Sequence, residues 1–97
     1  MEKKAYTGML YDVYTNMFSD RQRQYFEEYY YNDYTLSEIA ENLGVSRTAV
    51  HKALRLMERK LDEYESKLKL YEKRKKINKL LEKVDDEELV KKIKDVL

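Results

Sequence analysis

Ser46, Arg47, Thr48, His51, Lys52 and Arg55 lie within ten consecutive residues, interleaved with Val50, Ala53 and Leu54. On a helix the three apolar residues face inward, which leaves the polar set for solvent or a partner. Their chemistry suits nucleic acid. Arg47 can fork onto guanine, Thr48 can meet a thymine methyl, and His51 can donate or accept at a base edge. Lys52 and Arg55 suit phosphates, while Ser46 and the N–H groups of a helix start offer further donors. The competing reading is a solvated or protein-binding face, for which Lys and Arg are ordinary occupants. His51 is the sole histidine and has no Cys or carboxylate at ligand spacing, so no metal role is expected.

Catalysis has less to stand on. There is no phosphate-cradling Gly loop, no Ser-His-Asp order and no Cys pair. The many carboxylates alternate with Lys and Arg, as on solvated helical faces with i,i+4 pairing. The expectation is a protein that is not an enzyme and has no cofactor.

The elements that must position the polar set are written in "EIAENLGVSRTAVHKAL", Glu38 to Leu54. Leu36, Ile39, Ala40 and Leu43 stripe one short helix. Gly44 ends it, at a position where a left-handed backbone costs other residues more. Ser46 caps the next helix. Ala40 is small where two helices cross, and Leu43, Val45 and Val50 close a miniature core between them. This is a helix-turn-helix, whose second helix presents its N-terminal face outward toward a major groove.

Composition agrees with an all-α chain. Of 97 residues 40% are charged, Pro is absent and there are only 2 Gly, so little breaks helices. Cysteine is absent, which rules out disulfides and thiolate metal sites and fits a reducing cytoplasm. The N-terminal "MEKKAYTGMLYDVYTNMF" reads as an amphipathic helix rather than a signal peptide, and no run approaches a membrane span. The net charge of +1 does not announce a nucleic-acid binder, but its distribution says more. From Ser46 to Lys60, five basic residues oppose Glu58 alone; residues 1–33 have four basic groups against six acidic ones.

Upstream, Ala5, Tyr6, Met9, Leu10, Val13, Tyr14 and Met17 recur at helical spacing. Ser19 is an N-cap for a second helix, Asp20 to about Asn32, that sends Phe18, Tyr25, Phe26, Tyr29 and Tyr30 toward a core. "NDYT" is a turn. Most of the 10 Tyr share positions with Leu, Met and Phe and read as core; base stacking by Tyr29 to Tyr31 or Tyr34 is the alternative.

Downstream, Val50, Leu54, Met57, Leu61, Tyr64, Leu68 and Tyr71 alternate in steps of four and three, a heptad seam on an extended fourth helix. Such a seam must be buried against the chain's own first and last helices or against a second copy. A homodimer through Met57, Leu61, Tyr64, Leu68 and Tyr71 is expected. Asp85 and Glu88 have capping-box spacing before a short last helix carrying Leu89, Val90, Ile93 and Leu97. The expected organisation is a single helical domain over 1–97. Within it, a helix-turn-helix module spans 1–60, and 50–97 holds the extended helix and the C-terminal helix.

The stretch "SDRQRQYFEEYYYNDYTLSEIAENLGVSRTAVHKALRLMERKL" resembles the helix-turn-helix of sigma-factor region 4. No promoter-melting or core-binding region accompanies it, so the chain is no complete sigma factor. Over about three quarters of its length, through "MERKLDEYESKLKLYEK", it is similar to the YlxM family of small bacterial helix-turn-helix proteins. That resemblance implies a regulatory role in the signal recognition particle pathway, inferred largely from neighbouring genes, and no enzyme activity. It carries over no functional residues. The implied partners are DNA, the particle's RNA or, as the alternative, a particle protein contacted without nucleic acid.

Overall fold

The computed structural model describes residues 3–97, so the first two residues of the expected 1–60 module lie outside the described part. The described chain forms six helices and no strand: α1 (Lys3–Tyr14), α2 (Asp20–Tyr30), α3 (Leu36–Leu43), α4 (Arg47–Leu68), α5 (Leu70–Leu81) and α6 (Glu87–Val96). A 3-10 turn at Thr15–Met17 joins α1 to α2.

Local chemistry sets the helix boundaries. Ser19 and Gln22 form a reciprocal capping box on α2, and Thr35 and Glu38 form another on α3. Each satisfies backbone donors that the first turn leaves without intrahelical partners. Helix α2 ends at Tyr30, and Asp33 takes φ +57° in the turn that follows. At the last helix the cap is Asp86, whose carboxylate accepts the Leu89 N–H at 3.0 Å. The expected Asp85–Glu88 box is therefore corrected by one residue: N3 is Leu89, which has no side-chain acceptor to return.

Helices α1 to α4 share one core. Leu10, Tyr11, Phe26, Ile39, Val50, Met57 and Leu61 are at or near zero exposure, with Tyr14, Phe18, Tyr25, Ala40 and Leu54 around them. Helix α4 is the central element, and α1, α2 and α3 all pack on it. The inward face of α1 is rotated from the expected one: Thr7, Leu10, Tyr11 and Tyr14 are buried, whereas Met9 and Met17 are exposed. Tyr11 takes the central place because its ring stacks on Phe26 at 4.0 Å while its hydroxyl donates to Glu27 at 2.6 Å. Apolar spacing alone cannot rank an amphipathic Tyr above a Met.

The fourth helix is extended, at 22 residues, but it ends before the seam does. Helix α4 stops at Leu68, and Lys69 adopts a left-handed conformation (φ +54°) before α5 begins. The break has a side-chain cause. Glu65 is 7% exposed, and its carboxylate accepts the Tyr14 hydroxyl (2.7 Å) and the N–H groups of Tyr71 (3.0 Å) and Glu72 (3.2 Å). The Tyr14 hydroxyl oxygen accepts the Leu70 N–H at 3.2 Å. The first three donors of α5 are thus satisfied by two residues of other elements, which stabilises a bend that no Gly or Pro signals.

The seam is covered largely from within. Met57 and Leu61 are fully buried in the chain's own core, and Tyr64 sits beside Tyr14 and Phe18. Tyr71 meets Tyr6 edge-on at 5.6 Å. A dimer contact through Met57 and Leu61 is accordingly corrected: both are already buried in the core that α1, α2 and α3 form on α4. Only Leu68 of the seam stays well exposed, at 46%. Beyond the main core, α5 packs chiefly on α1, and Leu81 is buried near the end of α5.

Candidate nucleic-acid interface

Positioning begins at Gly44. Its φ of +66° closes α3, with its N–H directed at the Ala40 and Glu41 carbonyls. The Val45 N–H reaches the Ala40 carbonyl at 3.0 Å, which completes the cap and turns the chain toward Ser46. The guanidinium of Arg21 donates to the Leu43 carbonyl at 3.3 Å, tying α2 to the same corner. Ser46 then accepts the Ala49 N–H at 3.0 Å through its hydroxyl. With α3 packed on α4 through Ile39, Ala40 and Val50, the start of α4 is held at a fixed angle to the body.

All six candidates are exposed: Ser46, Arg47, Thr48, His51, Lys52 and Arg55. Val50 and Leu54 are buried and Ala53 is half-buried, so the helix does separate the polar set from the core. The set divides in two. Among the described residues, no carboxylate lies within 4 Å of Arg47 or Lys52. Arg55 instead pairs with Glu58 at 3.3 Å, and its Nε is directed at His51 Nε2 at 3.4 Å. Arg47, Thr48 and Lys52 therefore present open donors, while Arg55 must share or leave Glu58 to reach a phosphate.

Sequence reasoning counted Glu58 as the lone acid of this stretch but missed that it pairs with Arg55. It also accepts the Tyr30 hydroxyl, and burial followed by this hydrogen bond raises the Tyr30 pKa above its ordinary value. Its i,i+3 spacing from Arg55 was the available signal. Tyr29, Leu36, His51, Leu54, Arg55 and Glu58 line one small cleft of about 140 Å³ beside the face. The rings expected either in the core or against bases mostly pack: Tyr30 stacks on Phe26 at 4.1 Å and Tyr29 meets Tyr30 edge-on at 5.1 Å. Tyr31 is exposed, but its hydroxyl donates to Asp12. Tyr34 is exposed.

No group of three or more His, Cys, Asp or Glu residues that could hold a metal occurs among the described residues, and no described helix is long and apolar enough to cross a membrane.

Residues 1–96 match the UPF0122 family, described as YlxM / p13-like helix-turn-helix proteins. A UPF0122 protein of Ureaplasma urealyticum is 42% identical over 94 residues, covering 97% of this chain and 95% of the relative. One from Anoxybacillus flavithermus is 39% identical over 100 residues, with 94% and 91% covered. One from Caldanaerobacter subterraneus is 45% identical over 78 residues, covering 80% of this chain and 67% of the relative. With the family matched over nearly all of its length and its helix-turn-helix formed, this chain belongs to the UPF0122 family of YlxM / p13-like helix-turn-helix proteins.

Proposed function

We propose that this is a non-enzymatic regulatory protein that binds nucleic acid, DNA or the RNA of the signal recognition particle, through the N-terminal face of α4. The observation that carries the reading is the pair of unopposed cations, Arg47 and Lys52, exposed beside Thr48 at a helix start capped by Ser46. Arg47 and Thr48 read base edges, Lys52 holds a phosphate, and Arg55 joins it on release from Glu58. His51 contacts a base edge from the rim of the cleft. The link to the signal recognition particle pathway rests on the family resemblance, and a cytoplasmic setting on the absence of cysteine.

The working unit in this reading is a homodimer joined through the C-terminal arm rather than through Met57 and Leu61. Leu68, Leu80, Leu89 and Val96 are exposed along that arm, Leu80 by 64% and Val96 by 85%. Apolar side chains in such number favour pairing with a second copy, with the exposed edges of Tyr64 and Tyr71 at the margin.

Fluorescence anisotropy against duplex DNA and the particle's RNA at two salt concentrations tests the proposal. Lys52→Ala should weaken binding to all sequences and lower the salt slope by about 0.9. Arg47→Ala should cost about 1–3 kcal/mol, mainly at a preferred site. Binding that ignores both substitutions, or no binding at low salt, refutes it. The second reading, a module that contacts a particle protein without nucleic acid, is favoured by the pairing of Arg55 with Glu58 and by a net charge of only +1. A lysate pull-down that survives nuclease would support that reading.

A further inference from the structure

Helix α5 holds a denser run of cations than the recognition face does. Lys73, Arg74, Lys75 and Lys76 are consecutive, Lys79 follows one turn later, and Glu72 is the only acidic residue between Leu70 and Leu81. Helical spacing sorts them. Tyr71, Arg74, Ile77 and Leu81 turn toward the protein, while Lys75, Lys76 and Lys79 project from the opposite side and line one shallow groove with Glu72. Among the described residues none of these three ammonium groups has a carboxylate within 4 Å, whereas Lys4, Lys67 and Lys92 each have one.

The stripe is rigidly held, and Glu72, four residues before Lys76, offsets only part of its like-charge repulsion. Lys75 and Lys79 are like charges at i,i+4, a spacing that destabilises a helix. The helix bearing them is fixed at its start by the Glu65 and Tyr14 cap and by Tyr71 against Tyr6. Lys75 Nζ lies 5.4 Å from the Tyr71 ring centroid, close to the anchored end. We propose that Lys75, Lys76 and Lys79 form a second phosphate-binding surface, which holds the backbone of a nucleic acid beyond the footprint of the α4 face. The proposal rests on the nucleic-acid reading above and adds a site to it.

Two features select this partner. The stripe consists of lysines with no planar or apolar readers among them, which suits sequence-independent charge contact with phosphates. A membrane-surface helix would instead turn its apolar side outward under a basic rim. Here Tyr71, Ile77 and Leu81 are turned inward. Helix α4, with 22 residues, spans about 33 Å at 1.5 Å per residue, so the hinge at Lys69 is separated from Arg47 by a distance equal to about ten base pairs of duplex. A ligand must be longer than that footprint to reach both surfaces.

The test compares the wild type with K75A/K76A/K79A, and with K75R/K76R/K79R, on DNA duplexes of about 8 base pairs, shorter than that footprint, and about 30 base pairs. Circular dichroism and denaturation establish that each variant is folded; Ala and Arg both favour helix. On the long duplex the alanine variant should lose about 2.7 of the salt slope, from three contacts at about 0.9 each. The wild-type advantage then shrinks about 40-fold between 50 and 200 mM salt. The arginine variant should keep the wild-type slope, and all three proteins should bind the short duplex alike. Equal slopes for the wild type and the alanine variant on the long duplex overturn the proposal. So does a loss confined to phosphatidylserine vesicles, which would make the stripe a membrane surface. The R47A/K52A variant separates the two readings. If it binds both duplexes as the wild type does while the α5 alanine variant does not, the α4 reading falls and the α5 surface stands.

Discussion

Replacing Glu65 by Leu removes the acceptor on which the bend between α4 and α5 depends. Leucine is close in volume, so the change deletes hydrogen bonds rather than opening a cavity. Three donors lose their acceptor: the Tyr14 hydroxyl and the Tyr71 and Glu72 N–H groups. The two N–H groups lie near exposed chain and can recruit water, so their share resembles loss of a helix cap, about 1 kcal/mol. Tyr14 is 2% exposed, and its stranded hydroxyl costs about 1–3 kcal/mol. Burying a leucine in place of a carboxylate returns part of this. The net loss is about 2–3 kcal/mol, or at least about 8 °C in Tm for a domain of this size. Glu65→Gln keeps one acceptor oxygen without the charge and should lose roughly half as much. Urea denaturation measures both, and hydrogen exchange at Tyr71 and Glu72 should accelerate in each. A Glu65→Leu midpoint within about 0.5 kcal/mol of wild type, with unchanged exchange, would refute the capping account.

Further outcomes are expected at other positions. Gly44→Ala meets no atom within 4 Å, so its cost comes from φ +66° alone, about 1–2 kcal/mol by chemical denaturation; a neutral result would place the turn elsewhere. Leu61→Ala should destabilise the chain by about 2–5 kcal/mol at concentrations where it is monomeric, because that side chain is buried within one copy. Destabilisation that appears only where the wild type is dimeric would restore the intermolecular seam. Tyr11 and Tyr14 have raised pKa values, first from burial and next from hydrogen bonds to Glu27 and Glu65. Raised folded values give a contribution present in full below the unfolded tyrosine value of about 10 and lost as pH climbs past it toward the folded values. Stability should therefore fall steeply in alkali, and Tyr11→Phe should flatten part of that fall; a pH-independent midpoint between pH 9 and 12 would contradict this.

The parts of the molecule legible in sequence are those where a residue acts on its own neighbours. Gly44 needs only its own backbone freedom, and Ser19, Thr35 and Ser46 each cap through a side chain three residues from its target. Period and punctuation therefore predicted α2, α3 and the start of α4, along with the exposure of Arg47, Thr48, His51 and Lys52. Tertiary structure decided what depends on contacts across long separations. Glu65 reads as one more solvated carboxylate until Tyr14, 51 residues away, arrives to share it and bends the helix at Lys69. The seam reads equally well as a dimer contact, because an apolar stripe specifies that it be covered and not by what. Helix α1 packs on α4, where Met57 and Leu61 are buried, and it buries Tyr11 beside the expected Leu10 and Tyr14 while Met9 stays exposed. Those tyrosines bury their rings only because Glu27 and Glu65, brought from α2 and α4, satisfy their hydroxyls. That condition lies in the packing of three helices and in no local stretch of chain.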